Sequence, residues 1–228
     1  MSAAPLPTTC TVAVIGAGAM GSGIAQIAAV AGHRVQLLDV REGSAALAVE
    51  GLRTQLNKLA DKGKLTPEAA QAAAQRLSVA HDVSNLVDAA LVVEAIVEDL
   101  AAKQALFASL EDIVASDAIL ATNTSSISIT AIGATLKRPE RLAGLHFFNP
   151  APLMPLVEIV SGIGTDAVVA NTLFATAKAW GKTPVHARST PGFIVNRVAR
   201  PYYAEALRLL QEGAAEALRL LQEGAADV

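Results

Sequence analysis

Cysteine and tryptophan each occur once in these 228 residues, and aromatic side chains make up only 4%. One cysteine closes no internal disulfide and builds no thiolate metal site. Cys10 is therefore expected as a small buried residue in a reducing compartment, and no metal is implied. Charge is sparse as well: 17% of residues, in both signs, with a net charge of −3 and no lysine or arginine run. That balance argues against nucleic acid as a partner. Long apolar runs are missing, since Gln26 breaks one and Glu94 another. No window approaches the ~20 apolar residues of a membrane span. Met1–Cys10 has neither the basic and apolar segments of a secretory leader nor the arginines of a transit peptide. The cytoplasm is the expected location, with no membrane contact.

Hydrophobic residues reach 52%, mostly through small side chains, alanine above all. That is too apolar for a disordered segment. A chain of this length buries roughly 70% of its unfolded surface, and it falls between one average domain and two.

The first forty residues read as strand, glycine turn, helix, strand: Thr11–Ile15, Gly16–Gly21, Met20–Ala31 stopped by Gly32, and Val35–Leu38 ending at Asp39. A long helix follows over about Ser44–Lys62, with Leu47, Leu52, Leu56 and Leu59 at roughly helical spacing. Thr66-Pro67-Glu68 starts another, Thr66 as N-cap and Pro67 at N1. Strands are expected at Leu77–Ala80, Leu91–Ala95 and Ile119–Thr122, with a helix over Leu100–Val114. The alternation implies an α/β fold, a doubly wound and mostly parallel sheet covered on both faces. From Gly144 two strands, Gly144–Phe148 and Leu156–Val160, flank a loop holding Pro150, Pro152 and Pro155. A helix over Ala167–Trp180 and a strand over Thr183–Ala187 come next. Thr190-Pro191-Gly192 then punctuates before a helix from about Phe193, which puts a domain boundary near Ser189. The string at 205–215, EALRLLQEGAA, recurs unchanged at 216–226. Two perfect copies fall short of the roughly three units a repeat architecture needs.

Gly16-Ala17-Gly18-Ala19-Met20-Gly21 is a GxGxxG that follows a strand and opens a helix, the context the motif requires. Gly16 permits the tight turn, Gly18 lets backbone approach a pyrophosphate, and Gly21 lets helix and strand pack closely. The helix N-terminus supplies free N–H groups to phosphate. Asp39, at the end of the second strand, is placed to accept from ribose hydroxyls and to repel a 2′-phosphate, which favours NAD over NADP. Arg41 nearby is the one residue that could pair with that phosphate.

Of four histidines, His33 reads as solvated in a surface turn, His81 as a loop residue and His186 as lying in or beside a strand. His146 differs. Glu158 follows twelve residues later, and a strand, a proline loop and a returning strand can bring the two side chains together. A carboxylate fixes the imidazole tautomer and stabilises its protonated form. The pair is then either a general base for removing a proton from an alcohol while its carbon yields a hydride, or a structural pair.

Together, Val14–Gly21, Asn123-Thr124-Ser125-Ser126, His146-Phe147-Phe148-Asn149-Pro150, Val157-Glu158 and Pro191–Arg197 resemble the L-3-hydroxyacyl-CoA dehydrogenases, from about Thr11 to Gly213. The likeness is greatest to a bacterial branch associated with phenylacetate catabolism and 3-hydroxyadipyl-CoA, with a related branch that uses 3-hydroxybutyryl-CoA. It implies a Rossmann-type fold, NAD as cofactor, an acyl-CoA thioester as substrate, and a place in fatty acid or β-oxidation-type metabolism. His146 would be the general base and Glu158 its orienting partner. Ser125 would hydrogen-bond the substrate 3-oxygen and help hold His146, Asn196 would support the same oxygen region, and Asn149 would shape the pocket. Glu98 and Lys103 match positions near the nicotinamide ribose, and Asn123 one near the nicotinamide. Read without the resemblance, those three are helix-surface charges and a turn residue. Lys58, Lys62 and Lys64 fall where the family meets the CoA phosphates, and Lys58 and Lys62 share a helix face.

The family continues into an all-helical second domain that closes the cleft and forms a homodimer. Residues 1–189 are expected as the NAD-binding domain and 190–228 as the incomplete beginning of the second. That implies NAD binding with weakened catalysis, because the cleft would lack a wall. Leu207, Leu209, Leu210, Leu218, Leu220 and Leu221 are expected to drive association. Two other readings stay open: a 3-hydroxy acid dehydrogenase of the same fold that does not use CoA, and a non-catalytic NAD-binding protein.

Overall fold

The computed structural model describes residues 4–213 and Arg219. The first strand, β1 (Thr11–Ile15), is buried at every position. It leads through the glycine turn into α1 (Ala19–Val30) and β2 (Arg34–Leu38). The helical hairpin α2 (Ser44–Asp61) and α3 (Pro67–Gln75) precedes β3 (Leu77–Val79). Then come β4 (Ala89–Glu94), α4 (Leu100–Glu111), β5 (Ile119–Thr122) and a short α5 (Ile129–Gly133). The last elements are β6 (Leu142–Phe147), β7 (Leu156–Ser161), α6 (Ala167–Ala179), β8 (Thr183–Arg188) and α7 (Val195–Gln211).

The eight strands form one sheet in the order β3-β2-β1-β4-β5-β6-β7-β8. Every neighbouring pair is parallel except β6 with β7. Alternation along β1 divides the core. Val12 and Val14 pack with the α1, α2, α3 and α6 side, while Ala13 and Ile15 pack with Phe107 and Leu110 of α4. This is the expected Rossmann-type arrangement, followed by a helix.

Element ends move by one to three residues from expectation, the largest shift being α4, which stops at Glu111 rather than Val114, and α5 was not expected. Five residues carry too little periodicity to announce a helix. Thr66 caps α3 as expected, its hydroxyl accepting from Ala69 N at 3.2 Å. In α2 the inward positions are Ala45, Val49, Leu52 and Leu56, and Leu47 is 77% exposed. Spacings of four, three and four residues follow the helix repeat, whereas Leu47 lies five before Leu52 and turns outward. Cys10 is half-buried rather than buried. His33 is buried, not solvated: its Nδ1 lies 3.3 Å from Cys10 O and its ring meets Trp180 edge-on. On α7, Leu207, Leu209 and Leu210 are exposed; Leu218, Leu220, Leu221 and most of the second copy of the repeated string lie outside the described residues. No described helix is long and apolar enough to cross a membrane.

Candidate active site

The glycine turn crosses the carboxyl end of the sheet, where open α/β sheets bind ligands. Gly16 adopts φ +106°, and a Cβ there would stand 2.4 Å from Ala95 O. A Cβ on Gly21 would stand 1.7 Å from Gly16 O, so helix and turn touch backbone to backbone. A Cβ on Gly18 would meet nothing within 4 Å, which leaves that side of the turn open. The first helical bond runs from Ser22 N to Gly18 O. The N–H groups just before it, at Ala19 and Met20, lie in the first turn, where helix donors lack intrahelical partners and suit a phosphate.

Asp39 fixes the turn from β2. Its Oδ2 accepts from Ala17 N at 2.7 Å, and its Oδ1 from Arg41 N at 2.9 Å and Arg41 Nε at 3.2 Å. Burial pushes this carboxyl up, but the Ala17 and Arg41 donors outweigh it and hold it below the usual carboxylate range. Between the turn and the end of β4 lies a cavity of about 520 Å³, walled by Ile15, Val40, Ala95, Ile96 and Val97 with Asp39 at its rim. Apolar walls, one carboxylate and an uncovered glycine suit an adenosine ending in phosphates, so these residues fit NAD.

His146 and Glu158 are opposite each other in the β6–β7 register. His146 Nδ1 is 2.6 Å from Glu158 Oε2, and both side chains are buried. The second carboxylate oxygen, Oε1, accepts from the backbone N–H groups of Ile194 and Val195, each at 2.9 Å. Burial raises the Glu158 carboxyl, but His146 and these two amides more than offset it, and the group is held below its ordinary range. The amides reach it because the chain reverses at Gly192 (φ +75°) and Phe193 (φ +49°) just before α7. A Cβ on Gly192 would approach Arg197 N to 2.9 Å. The buried Phe193 ring lies edge-on to His146, and Phe148 flanks the imidazole at 4.5 Å. Below the loop between β6 and β7, Lys182 Nζ donates to the carbonyls of Ala151, Pro152 and Met154.

The segment after β5 forms the facing wall. Glu98 Oε1 gathers it, accepting from Thr124 Oγ1 at 2.6 Å, Ser125 N at 2.9 Å and Ser126 N at 3.2 Å. The Ser125 hydroxyl also donates to Glu98, at 3.3 Å, so it makes no direct bond to His146 here. Burial raises the Glu98 carboxyl, but the Thr124 and Ser125 donors and the Lys103 charge hold it down. Asn196 Nδ2 donates to Ser125 O at 3.2 Å, and Asn123 Oδ1 accepts from Phe147 N at 2.9 Å. The serine segment is thereby tied to α7 on one side and to the residue after His146 on the other.

Thus Ser125, Asn196 and Glu98 meet in one hydrogen-bonded group, and His146 pairs with Glu158. Lys103 is no surface charge: it is 1% exposed, 2.6 Å from Glu94 and 3.3 Å from Glu98. Asn149 is exposed where the proline loop begins, and Lys58, Lys62 and Lys64 are exposed at the α2–α3 hairpin. Sequence reasoning missed Glu94, Phe193 and the two amides beneath Glu158. A carboxylate ending the apolar run Ala89–Val93 was the available signal, since a buried charge demands a partner.

Comparison with known proteins matches residues 11–190 to the family described as "3-hydroxyacyl-CoA dehydrogenase, NAD binding domain". Residues 192–222 match "3-hydroxyacyl-CoA dehydrogenase, C-terminal domain". The chain is 53% identical over 202 residues to a 3-hydroxyadipyl-CoA dehydrogenase of Escherichia coli, covering 89% of this chain and 42% of that protein. It is 42% identical over 200 residues to a probable 3-hydroxybutyryl-CoA dehydrogenase of Bacillus subtilis, covering 88% of this chain and 70% of the relative. Among solved structures, a 3-hydroxybutyryl-CoA dehydrogenase from Escherichia coli K12 superposes with TM-score 0.88 at 52% identity, over 91% of this chain and 44% of the other. The chain therefore spans less than half the length of the first of these relatives.

Proposed function

We propose, from the premise that this chain belongs to the 3-hydroxyacyl-CoA dehydrogenase family and carries its NAD-binding domain, that it serves the reversible oxidation of an L-3-hydroxyacyl-CoA to the 3-oxoacyl-CoA in the cytoplasm. The observation that carries the reading is the buried His146–Glu158 pair, held at 2.6 Å beside the cofactor end of the sheet. With its Nδ1 proton donated to Glu158, His146 keeps the Nε2 lone pair for the 3-hydroxyl proton of the substrate. Glu158 stays ionised, because three donors converge on it, and so it stabilises the imidazolium that forms without taking the proton itself. NAD⁺ held by the glycine turn and Asp39 would supply the acceptor for the hydride given up at C3 when the alcohol becomes a carbonyl.

The chain's own residues do the rest. Ser125 and Asn196 hold the oxygen whose charge changes. Gly16, Gly18, Ala19 and Met20 meet the pyrophosphate, Gly21 seats α1 against that turn as part of the same cofactor site, and Asp39 binds the adenosine ribose. Glu98, Lys103, Asn123 and Asn149 position the nicotinamide end and the pocket wall. Lys58 and Lys62 meet the CoA phosphates. The names of the relatives support a short or carboxylated acyl chain, and residues 1–189 and 190–228 are read as the NAD-binding domain and the start of the helical one.

The test is His146→Gln, assayed by NADH oxidation with acetoacetyl-CoA, with NADH binding followed by fluorescence. Turnover should fall by ~10²-fold or more while NADH still binds. Undiminished turnover overturns the assignment.

A further inference from the structure

Glu94 closes β4 and is fully buried, yet its carboxylate is saturated with donors. Oε1 accepts from Lys103 Nζ at 2.6 Å and from Ile96 N at 2.7 Å, and Oε2 accepts from Thr122 Oγ1 at 2.7 Å. From this one group, two paths reach the serine segment. The first passes through Lys103, whose ammonium is 3.3 Å from Glu98 Oε2, and Glu98 in turn holds Ser125. The second passes through Thr122, whose hydroxyl accepts from Thr124 N at 3.2 Å. A third connection runs the other way. The Ile96 bond sets the turn that begins at Ala95, and Ala95 O stands 2.4 Å from where a Cβ on Gly16 would be. Ala95, Ile96 and Val97 wall the nucleotide cavity.

A lysine needed only to neutralise Glu98 would require no second carboxylate beneath it. Burying an ion is costly unless it is paired, and here the deeper partner, Glu94, is also the closer one. Lys103 is therefore anchored from inside the sheet, and Glu98 is placed by Lys103. Small errors in such a chain matter, because reacting groups lose rate steeply when displaced by about 1 Å.

We infer that Glu94 is a positioning residue: it holds the Ser125 segment and the wall of the cofactor cavity in one fixed relation. The inference rests on the role proposed for Ser125.

The experiment combines Glu94→Gln with Ser125→Ala in the full chain. Glu94→Gln keeps shape and removes the anchoring charge. It should lower kcat by about 10- to 100-fold with little change in the KM for NADH, because the amide oxygen can still accept from Ile96 N and keep the cavity wall in place. In the Ser125→Ala background the same substitution should cost no more than about twofold, since residues acting through one another are not additive. Amide hydrogen exchange without cofactor gives a second readout: in Glu94→Gln the peptide covering 123–127 should exchange about tenfold faster, with β1 and β6 unchanged.

A rate loss that simply multiplies that of Ser125→Ala, an unchanged exchange rate at 123–127, or faster exchange throughout the sheet overturns the positioning role. A normal rate in Ser125→Ala alone overturns the reading of Ser125 and leaves exchange to decide on Glu94. Should Glu94→Gln fail to fold, Thr122→Val tests the second path alone: it removes the hydroxyl that joins Glu94 to the Thr124 amide and leaves Lys103 in place, so exchange at 123–127 should still rise, and unchanged exchange there overturns the positioning role.

Discussion

His146 and Glu158 face each other across the antiparallel pairing of β6 and β7, and the far oxygen of Glu158 rests on the two amides that open α7. The register brings the side chains to 2.6 Å, and the Gly192–Phe193 reversal brings the amides. The dyad is therefore built jointly by the sheet and by the segment that leaves it.

Stability should report this arrangement. Glu158 is held below its ordinary value of 4.5 in the folded state. A depressed carboxyl contributes stability that is complete above the unfolded value and is lost as pH falls through the folded one. Glu158→Gln should therefore be less stable than the parent at neutral pH, and the gap should narrow below about pH 4.5. Glu98 and Asp39 titrate in both proteins, so the difference between two urea-midpoint curves reports Glu158 together with its partner His146. A gap constant down to acid pH would rule out the linkage.

The exposed lysines of the α2–α3 hairpin make a different prediction. Lys58→Ala with Lys62→Ala should raise the KM for a CoA thioester by about 5- to 50-fold and leave kcat near its parent value, the pattern of uniform binding. Added salt should erase much of the difference, since exposed charges are screened within about 10 Å at 0.1 M. Equal KM values for the two proteins at low salt would remove these residues from the substrate site.

Cofactor choice should turn on Asp39. Its carboxylate would repel a 2′-phosphate, and it holds Arg41 Nε at 3.2 Å. Asp39→Ser removes the repulsion and frees the guanidinium. The ratio of kcat/KM for NAD over NADP should drop by at least about tenfold, or 1.4 kcal/mol. A ratio unchanged by the substitution would show that discrimination lies elsewhere.

Much of this architecture was legible because its signals are local. The strand, glycine turn and helix at Thr11–Val30 follow from β-branched residues and three glycines, and the α3 start from Thr66 and Pro67. The His146–Glu158 pairing was legible because a proline loop between two strands leaves few registers. What stayed hidden depends on partners distant in sequence. His33 is buried by Trp180, and a turn after glycine gives no hint of that. Lys103 sits at an inward α4 position shared with Phe107 and Leu110, a place periodicity assigns to apolar residues, and its carboxylate partners Glu94 and Glu98 explain it. The amides under Glu158 carry no side-chain signature at all.

Gly18 and Gly21 separate binding from folding within one motif. Gly18 has an ordinary φ of −70° and open space where a Cβ would go. Gly18→Ala should therefore keep the melting temperature within a few degrees of the parent, while the added methyl stands where a pyrophosphate must approach the backbone. NADH affinity should fall by at least about tenfold, or 1.4 kcal/mol. Gly21→Ala should instead lower the melting temperature, because its methyl would lie 1.7 Å from Gly16 O, a backbone atom that cannot swing aside. Overpacking costs about 1–3 kcal/mol, here toward the upper end because the obstructing atom is backbone, and it opens the joint between α1 and the turn. Thermal unfolding and NADH titration of the two variants decide the matter. A Gly18→Ala protein that melts early, or a Gly21→Ala protein as stable as the parent, would show that the turn is not packed and opened as the structure has it.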